Sequence, residues 1–284
     1  MRGVAWMVVL VAVAAGASAD EPWSRWRGAA GAGAGGPRRF PVEWTDDDLA
    51  WSVPLRGGGH ASPVVRDGRI YVAAADETAG LRFVACHALA DGRQLWLREI
   101  PGPIDRHHRQ NSSASGSVAV DDDGAYWLWA AHDGLRVEAF TRDGGDKWHA
   151  DLGPYAGEHG FAGSAAVCGD LVIVSNDHEG HSFVAALESA TGRERWRLAR
   201  ESGKSGYATP LVIDAPTGRQ IVLTCPVNGT SAYHQGCPAK GSPLSAWRGG
   251  DGCGRGVVRT SRRGFVPACA PVSSQKSRFV PTRA

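Results

Sequence analysis

Sustained helical periodicity is missing from this 284-residue chain, which argues against a helical bundle or a fold built on helical crossovers. Long apolar runs are scarce too. After Val4–Ala15 none approaches the roughly twenty residues of a membrane helix, so no later helical span is expected. The six cysteines contain no Cys-x-x-Cys pair, which removes that metal and redox signature. Cys86, Cys168 and Cys225 sit in apolar, strand-like runs at different points of the sequence pattern and read as small buried hydrophobes, while Cys237, Cys253 and Cys269 fall near the C-terminus. Disulfide connectivity stays open. Glycine-rich stretches follow no strand and open no helix, so they are not phosphate loops. Net charge is only +2, but from His234 onward nine Lys and Arg face one Asp, leaving 22 basic and 28 acidic residues before it. An acidic body lacks the footprint for nucleic acid, and only the basic C-terminal stretch has the right sign.

Residues 1–19 combine Arg2, the apolar run and Ala17-Ser18-Ala19, the layout of an export signal cleaved before Asp20. A periplasmic or extracellular location is the corresponding expectation.

The dominant feature present is a repeated phrase. It closes on Gly92-Arg93-Gln94-Leu95-Trp96, Gly144-Gly145-Asp146-Lys147-Trp148 and Gly192-Arg193-Glu194-Arg195-Trp196. It opens on hydroxyl residues in turns: Ser62-Pro63, Ser115-Gly116, Ser164-Ala165 and Thr209-Pro210. Units of about fifty residues cannot each bury a core, so neighbours must cover one another. Within phrase one, Pro63–Val65, Ile70–Ala73 and Phe83–Cys86 read as strands that return to Trp96. Phrase two offers Ser117–Val120, Tyr126–Trp129 and Arg136–Phe140, and phrase three Ala165–Val167, Leu171–Val174 and Phe183–Leu187. The second strand of each is continuously apolar, as expected when both faces are sandwiched. Four short strands and tight turns make one propeller blade. Each closing indole is expected to lie flat on neighbouring backbone and donate its N–H there, with the glycine four residues earlier supplying a left-handed turn.

The expected fold is all-β: an incomplete β-propeller of four-stranded antiparallel blades, about three and a half of them. A lead-in segment occupies residues 20–59, with a Gly/Ala-rich loop over Ala29–Gly36 and order beginning at Trp44 and Trp51. The repeats fill residues 60–233. The fourth phrase stops after Thr230-Ser231-Ala232-Tyr233, and residues 234–284 read as an irregular basic tail unable to repay its ordering entropy. Trp247 falls 51 residues after Trp196, but Pro243 stands where the glycine belongs, so that spacing reads as coincidence. A break inside a blade suggests a truncated gene or a lost reading frame.

These residues resemble the PQQ-like (pyrroloquinoline-quinone-like) β-propeller repeat family over roughly Trp23–Tyr233. The likeness rests on Trp26-Arg27-Gly28, Pro41-Val42-Glu43-Trp44, Gly59-His60-Ala61-Ser62-Pro63-Val64-Val65 and Ala186-Leu187-Glu188-Ser189-Ala190-Thr191-Gly192-Arg193-Glu194-Arg195-Trp196. The resemblance implies a propeller. It leaves activity open, because members include quinone-dependent dehydrogenases and an outer-membrane assembly scaffold. The chain is shorter than those enzymes and has no adjacent Cys-Cys pair, and no motif assigns it a calcium-ligating Glu, Asn and Asp. The expectation is a non-catalytic exported binding or scaffold module whose blade-connecting loops meet a protein or glycan. No catalytic, cofactor-binding or metal residue is assigned. The alternative is a fragment of a quinone-dependent alcohol or sugar dehydrogenase, with PQQ and calcium as its cofactors.

Asp105-Arg106-His107-His108-Arg109 lies between phrases one and two, on a loop placed to line the propeller's mouth, and is the foremost candidate. Asp177-His178-Glu179-Gly180-His181 is the densest cluster of metal-capable side chains, but it falls where a hairpin turn is due, and turns are polar for backbone reasons. Asn111-Ser112-Ser113 and Asn228-Gly229-Thr230 match the N-glycosylation pattern.

Overall fold

A computed structural model describes residues 23–34, 41–216, 218–227, 229–234, 245–247 and 259–260. The chain folds as an incomplete all-β propeller of four antiparallel sheets, each following chain order. Blade one comprises β1 (Val64–Arg66), β2 (Arg69–Asp76), β3 (Leu81–Ala88) and β4 (Gln94–Pro101). Blade two comprises β5 (Ala119–Val120), β6 (Ala125–Ala131), β7 (Gly134–Phe140) and β8 (Asp146–Gly153). Blade three comprises β9 (Ala166–Cys168), β10 (Leu171–Asn176), β11 (Phe183–Glu188) and β12 (Glu194–Ala199). The last sheet holds β13 (Leu211–Ala215), β14 (Gly218–Cys225), β15 (Gly229–His234), β16 (Ser245–Trp247) and β17 (Arg259–Thr260). A 3-10 turn at Asp46–Asp48 is the sole helical element among the described residues.

The cores lie between blades, not within them. Val64, Tyr71, Val84 and Cys86 of blade one pack with Val120, Trp127, Trp129 and Phe140 of blade two. Blade two turns its other face, with Tyr126, Leu128 and Val137, onto Val172, Val174 and Leu187 of blade three. Ile173, Val184 and Trp196 then meet Ile221, Leu223 and Tyr233 of the last sheet. This is why β10 is buried at every position and reads as a continuous apolar run. Cys86 and Cys168 are buried in these cores and Cys225 is buried in the last sheet, and burial pushes the Cys86 and Cys168 thiols up to about 11. Cys237, Cys253 and Cys269 lie outside the described residues.

The indoles lock blade to blade as expected. Trp96 donates its Nε1–H to the Arg142 carbonyl at 2.9 Å and Trp148 donates to the Ser189 carbonyl at 2.9 Å. Each reaches the β3–β4-type hairpin of the next blade. There the glycine is left-handed (Gly144 φ 85°, Gly192 φ 75°), and a Cβ on it would meet the preceding indole within 2.6 Å. Trp51 is an earlier member of the series: it donates to the Leu89 carbonyl at 3.0 Å and covers Gly92. It escaped the pattern because Asp47, not glycine, stands four residues before it.

Two expectations change. The inner hydroxyl of blade two is Ser117, not Ser115: Ser62 N–H donates to Ser117 Oγ at 3.0 Å, and Ser117 N–H to Ser164 Oγ at 2.9 Å. Ser115 instead bonds Asn111 and Ser112 within its own loop. The tail also supplies strands, because the free edge of β15 offers unpaired amides and carbonyls to any extended chain that follows. Ser245–Trp247 pairs there, with Thr230 opposite Trp247. That register differs from that of the closing tryptophans, which pair beside their hairpin turns (Cys86–Trp96, Ala139–Trp148, Ala186–Trp196). Apart from 234, 245–247 and 259–260, residues 234–284 lie outside the described residues.

Candidate functional site at the propeller mouth

The connections between blades and the hairpins joining the second and third strands meet on one side of the molecule. Their polar groups are used to tie loop to hairpin. Glu77, in the β2–β3 turn, accepts from Ser113 N at 2.9 Å and pairs with His107 Nε2 at 2.8 Å. Burial opposes the charge on His107, but bonds to the His108 carbonyl and to Glu77 raise its pKa above the usual value, while those from Ser113 and His107 outweigh burial and lower that of Glu77. Asp105 pairs with the exposed His132 of the β6–β7 turn at 2.5 Å and raises its pKa. Asp177 and Arg200 form a buried bidentate pair at 2.7 and 2.9 Å, and Arg200 also donates to Tyr233 Oη at 2.9 Å.

A cleft of about 560 Å³ opens between the first two connections. Its floor is aromatic: Trp127 and Trp129 stack at 6.4 Å, and Trp127 Nε1 donates to the Gly116 carbonyl at 2.9 Å. The buried Arg82 guanidinium lies over Trp129 at 4.3 Å and donates to the carbonyls of Pro103 (2.7 Å) and Ser113 (3.2 Å). Burial lowers its pKa to about 10. Asp105, the only carboxylate among the described residues lining this cleft, is the one already paired with His132.

A second cleft of about 580 Å³ lies where the inner ends of the blades converge. His60 precedes blade one, His108 and Gln110 lie on the first connection, His159 on the second and Tyr207 on the third. Trp26 enters from the N-terminal segment, which crosses the inner strands: Val65 N–H donates to the Trp23 carbonyl and Val120 N–H to the Ser24 carbonyl, both at 2.8 Å. Arg25 extends the crossing by donating to the Pro210 carbonyl at 2.8 Å. His108 and His159 meet edge to face at 5.4 Å.

The foremost sequence candidate therefore reaches the mouth but is divided within it. Asp105, Arg106 and His107 line the first cleft, His108 the second and Arg109 neither. The 177–181 cluster is a structural tie. His178 is buried and stacks on Tyr155 at 5.7 Å; its Nδ1 accepts from the N–H of Ala156 (3.0 Å) and Gly180 (3.2 Å), which places the proton on Nε2, the donor to the His181 carbonyl. No set of three or more metal-capable side chains converges among the described residues. Asn111 spends its amide on the His159 carbonyl at 2.7 Å, and Asn228 lies outside the described residues. Sequence reasoning missed Glu77, Arg82, Trp127 and Trp129, whose own strands and turns carry no sign that the first connection folds over them.

Residues 33–127 match the sequence profile of a PQQ-like repeat family described as outer membrane protein assembly factor BamB. Over those residues the chain is similar to PQQ-like repeats. No curated protein shows significant similarity to it. Among solved structures, BamB from Moraxella catarrhalis is similar at 15% identity and a TM-score of 0.48, over 70% of this chain and 54% of that one. A europium-containing methanol dehydrogenase aligns at 18% identity and a TM-score of 0.37, over 51% of this chain and 25% of that one. The quinohemoprotein alcohol dehydrogenase of Comamonas testosteroni aligns at 25% identity and a TM-score of 0.38, over 50% and 21%. The chain thus spans about half the length of that BamB and a quarter or less of either dehydrogenase. Among the described residues no helix is long and apolar enough to cross a membrane.

Proposed function

We propose that this PQQ-like repeat protein is a non-catalytic, exported binding or scaffold module whose blade-connecting loops engage its partner. The observation that carries this reading is the use made of ionisable groups at the mouth. Glu77–His107, Asp105–His132 and Asp177–Arg200 each join a connection to a hairpin or neighbouring strand, so acid–base side chains that a reaction would need are committed to holding loops still. A fixed surface with satisfied charges suits recognition. The match of residues 33–127 to a family described as an assembly factor supports the same direction. Export rests on the layout of residues 1–19. The competing reading, a quinone-dependent dehydrogenase fragment, predicts turnover. Mature protein supplied with PQQ, calcium and an electron-accepting dye should oxidise no alcohol or aldose faster than the quinone does alone; protein-dependent dye reduction would overturn the proposal.

A further inference from the structure

We propose that the central cleft binds a neutral carbohydrate, an inference that rests on the non-catalytic binding reading and gives its ligand a chemical class. The lining contains no Asp, Glu, Lys or Arg among the described residues, unlike the first cleft, so no carboxylate, ammonium or guanidinium lines it to pair with a ligand's charge. It does offer two aromatic rings with much of their surface open, Trp26 (37% exposed) and Tyr207 (40% exposed). A sugar ring presents an apolar C–H face edged by hydroxyls, and rigid amphipathic side chains match that combination at low entropic cost.

Hydrogen-bonding groups for the hydroxyls line the cleft. His108 Nδ1 accepts the Gln110 N–H at 3.3 Å, which leaves Nε2 as a donor facing other partners. The Gln110 amide supplies both a donor and an acceptor on the same wall. His60, from the segment before blade one, and His159, from the second connection, add imidazoles.

Trp26 is held in place rather than left on a loose terminus. The residue after it, Arg27, has a left-handed backbone (φ 63°), followed by Gly28 at φ 79°. The turn is closed by Gly28 N–H to the Arg25 carbonyl and Gly33 N–H to the Arg27 carbonyl, both at 2.9 Å. Trp23 packs against Gly28 on one side, and Arg25 is anchored to the Pro210 carbonyl on the other. A local conformation unfavourable for arginine and fixed from both sides is the pattern of a presented side chain. The Trp26-Arg27-Gly28 motif thereby gains a role beyond marking the repeat.

The test is a titration of the mature full-length chain, without quinone or calcium, with cellotetraose, chitotetraose and maltotetraose, followed by tryptophan fluorescence and ligand-observed NMR. Saturable binding of at least one, insensitive to salt, is expected. Trp26→Ala should weaken it about tenfold or more, whereas Trp44→Ala, which removes an exposed tryptophan outside the cleft, should leave it unchanged. Circular dichroism confirms that both variants fold. Absence of binding to all three, binding that Trp26→Ala leaves intact, or binding that falls steeply with salt would each overturn the proposal. Such a failure would leave the non-catalytic reading standing, since that fails only on quinone-dependent turnover.

Discussion

The Trp96 indole lies against Gly144 of the next blade while donating its N–H to the Arg142 carbonyl two residues earlier. One residue thus reports on two requirements, a left-handed turn and a flat surface without a Cβ. Gly144→Ala violates both, since its Cβ would sit 2.5 Å from Trp96 Cγ at φ 85°. We expect a loss of about 3 kcal/mol in urea unfolding. Gly68→Ala is the control: φ is 71° but nothing lies within 4 Å, so the loss should be about 1 kcal/mol.

Trp51 is assigned the same locking role on blade one. Trp51→Phe should cost about 1 kcal/mol by leaving the Leu89 carbonyl without its donor, and Trp51→Ala about 3 kcal/mol through lost packing. A neutral Trp51→Phe would contradict the hydrogen-bonded lock, and equal effects of the two substitutions would contradict the packing contribution.

The buried Asp177–Arg200 pair and the exposed Asp170–Arg195 pair make a matched comparison, with side-chain exposures of 2% and 4% against 69% and 45%. Asp177→Asn should destabilise by about 3 kcal/mol because Arg200 keeps its charge without a counterion. Asp170→Asn should stay within about 0.5 kcal/mol. Denaturation midpoints of the two variants decide the matter.

The Glu77–His107 tie predicts a pH window. His107 is raised above 6.5 in the folded state, so its contribution is complete below that value and fades as pH rises through the folded pKa. Glu77 is lowered below 4.5, so its contribution is present above that value and fades as pH falls through the folded pKa. The tie is therefore strongest between these limits. The stability difference between wild type and Glu77→Gln, from urea midpoints across pH, should shrink on going from mildly acidic to alkaline conditions; a difference that grows would contradict it.

Much of the fold was legible because the repeat carries its own punctuation. The strand cores Ile70–Ala73, Tyr126–Trp129 and Leu171–Val174 all lie inside β2, β6 and β10. The locking indoles announced themselves through Gly-x-x-x-Trp, and Trp51 did not because the glycine serves its own turn, receiving the preceding blade's indole. Trp51 has no such indole before it among the described residues, and Asp47 begins no hairpin. Ser115 was mistaken for Ser117 because several serines crowd Ser112–Ser117, and only pairing with Ser62 and Ser164 fixes the register. At the mouth, loop position was readable for 105–109, but its partners Glu77 and His132 belong to other turns and meet it only through folding. The short strands after residue 234 owe their pairing to an open edge, a tertiary cause that composition does not encode.

We propose that these repeats form a recognition surface without a redox cofactor. Equilibrium titration of the protein with PQQ in excess calcium, followed by intrinsic tryptophan fluorescence, tests it most directly, because Trp26, Trp127 and Trp129 all line the mouth clefts. The account predicts no saturable change; a saturable, calcium-dependent change of one quinone per chain would contradict it.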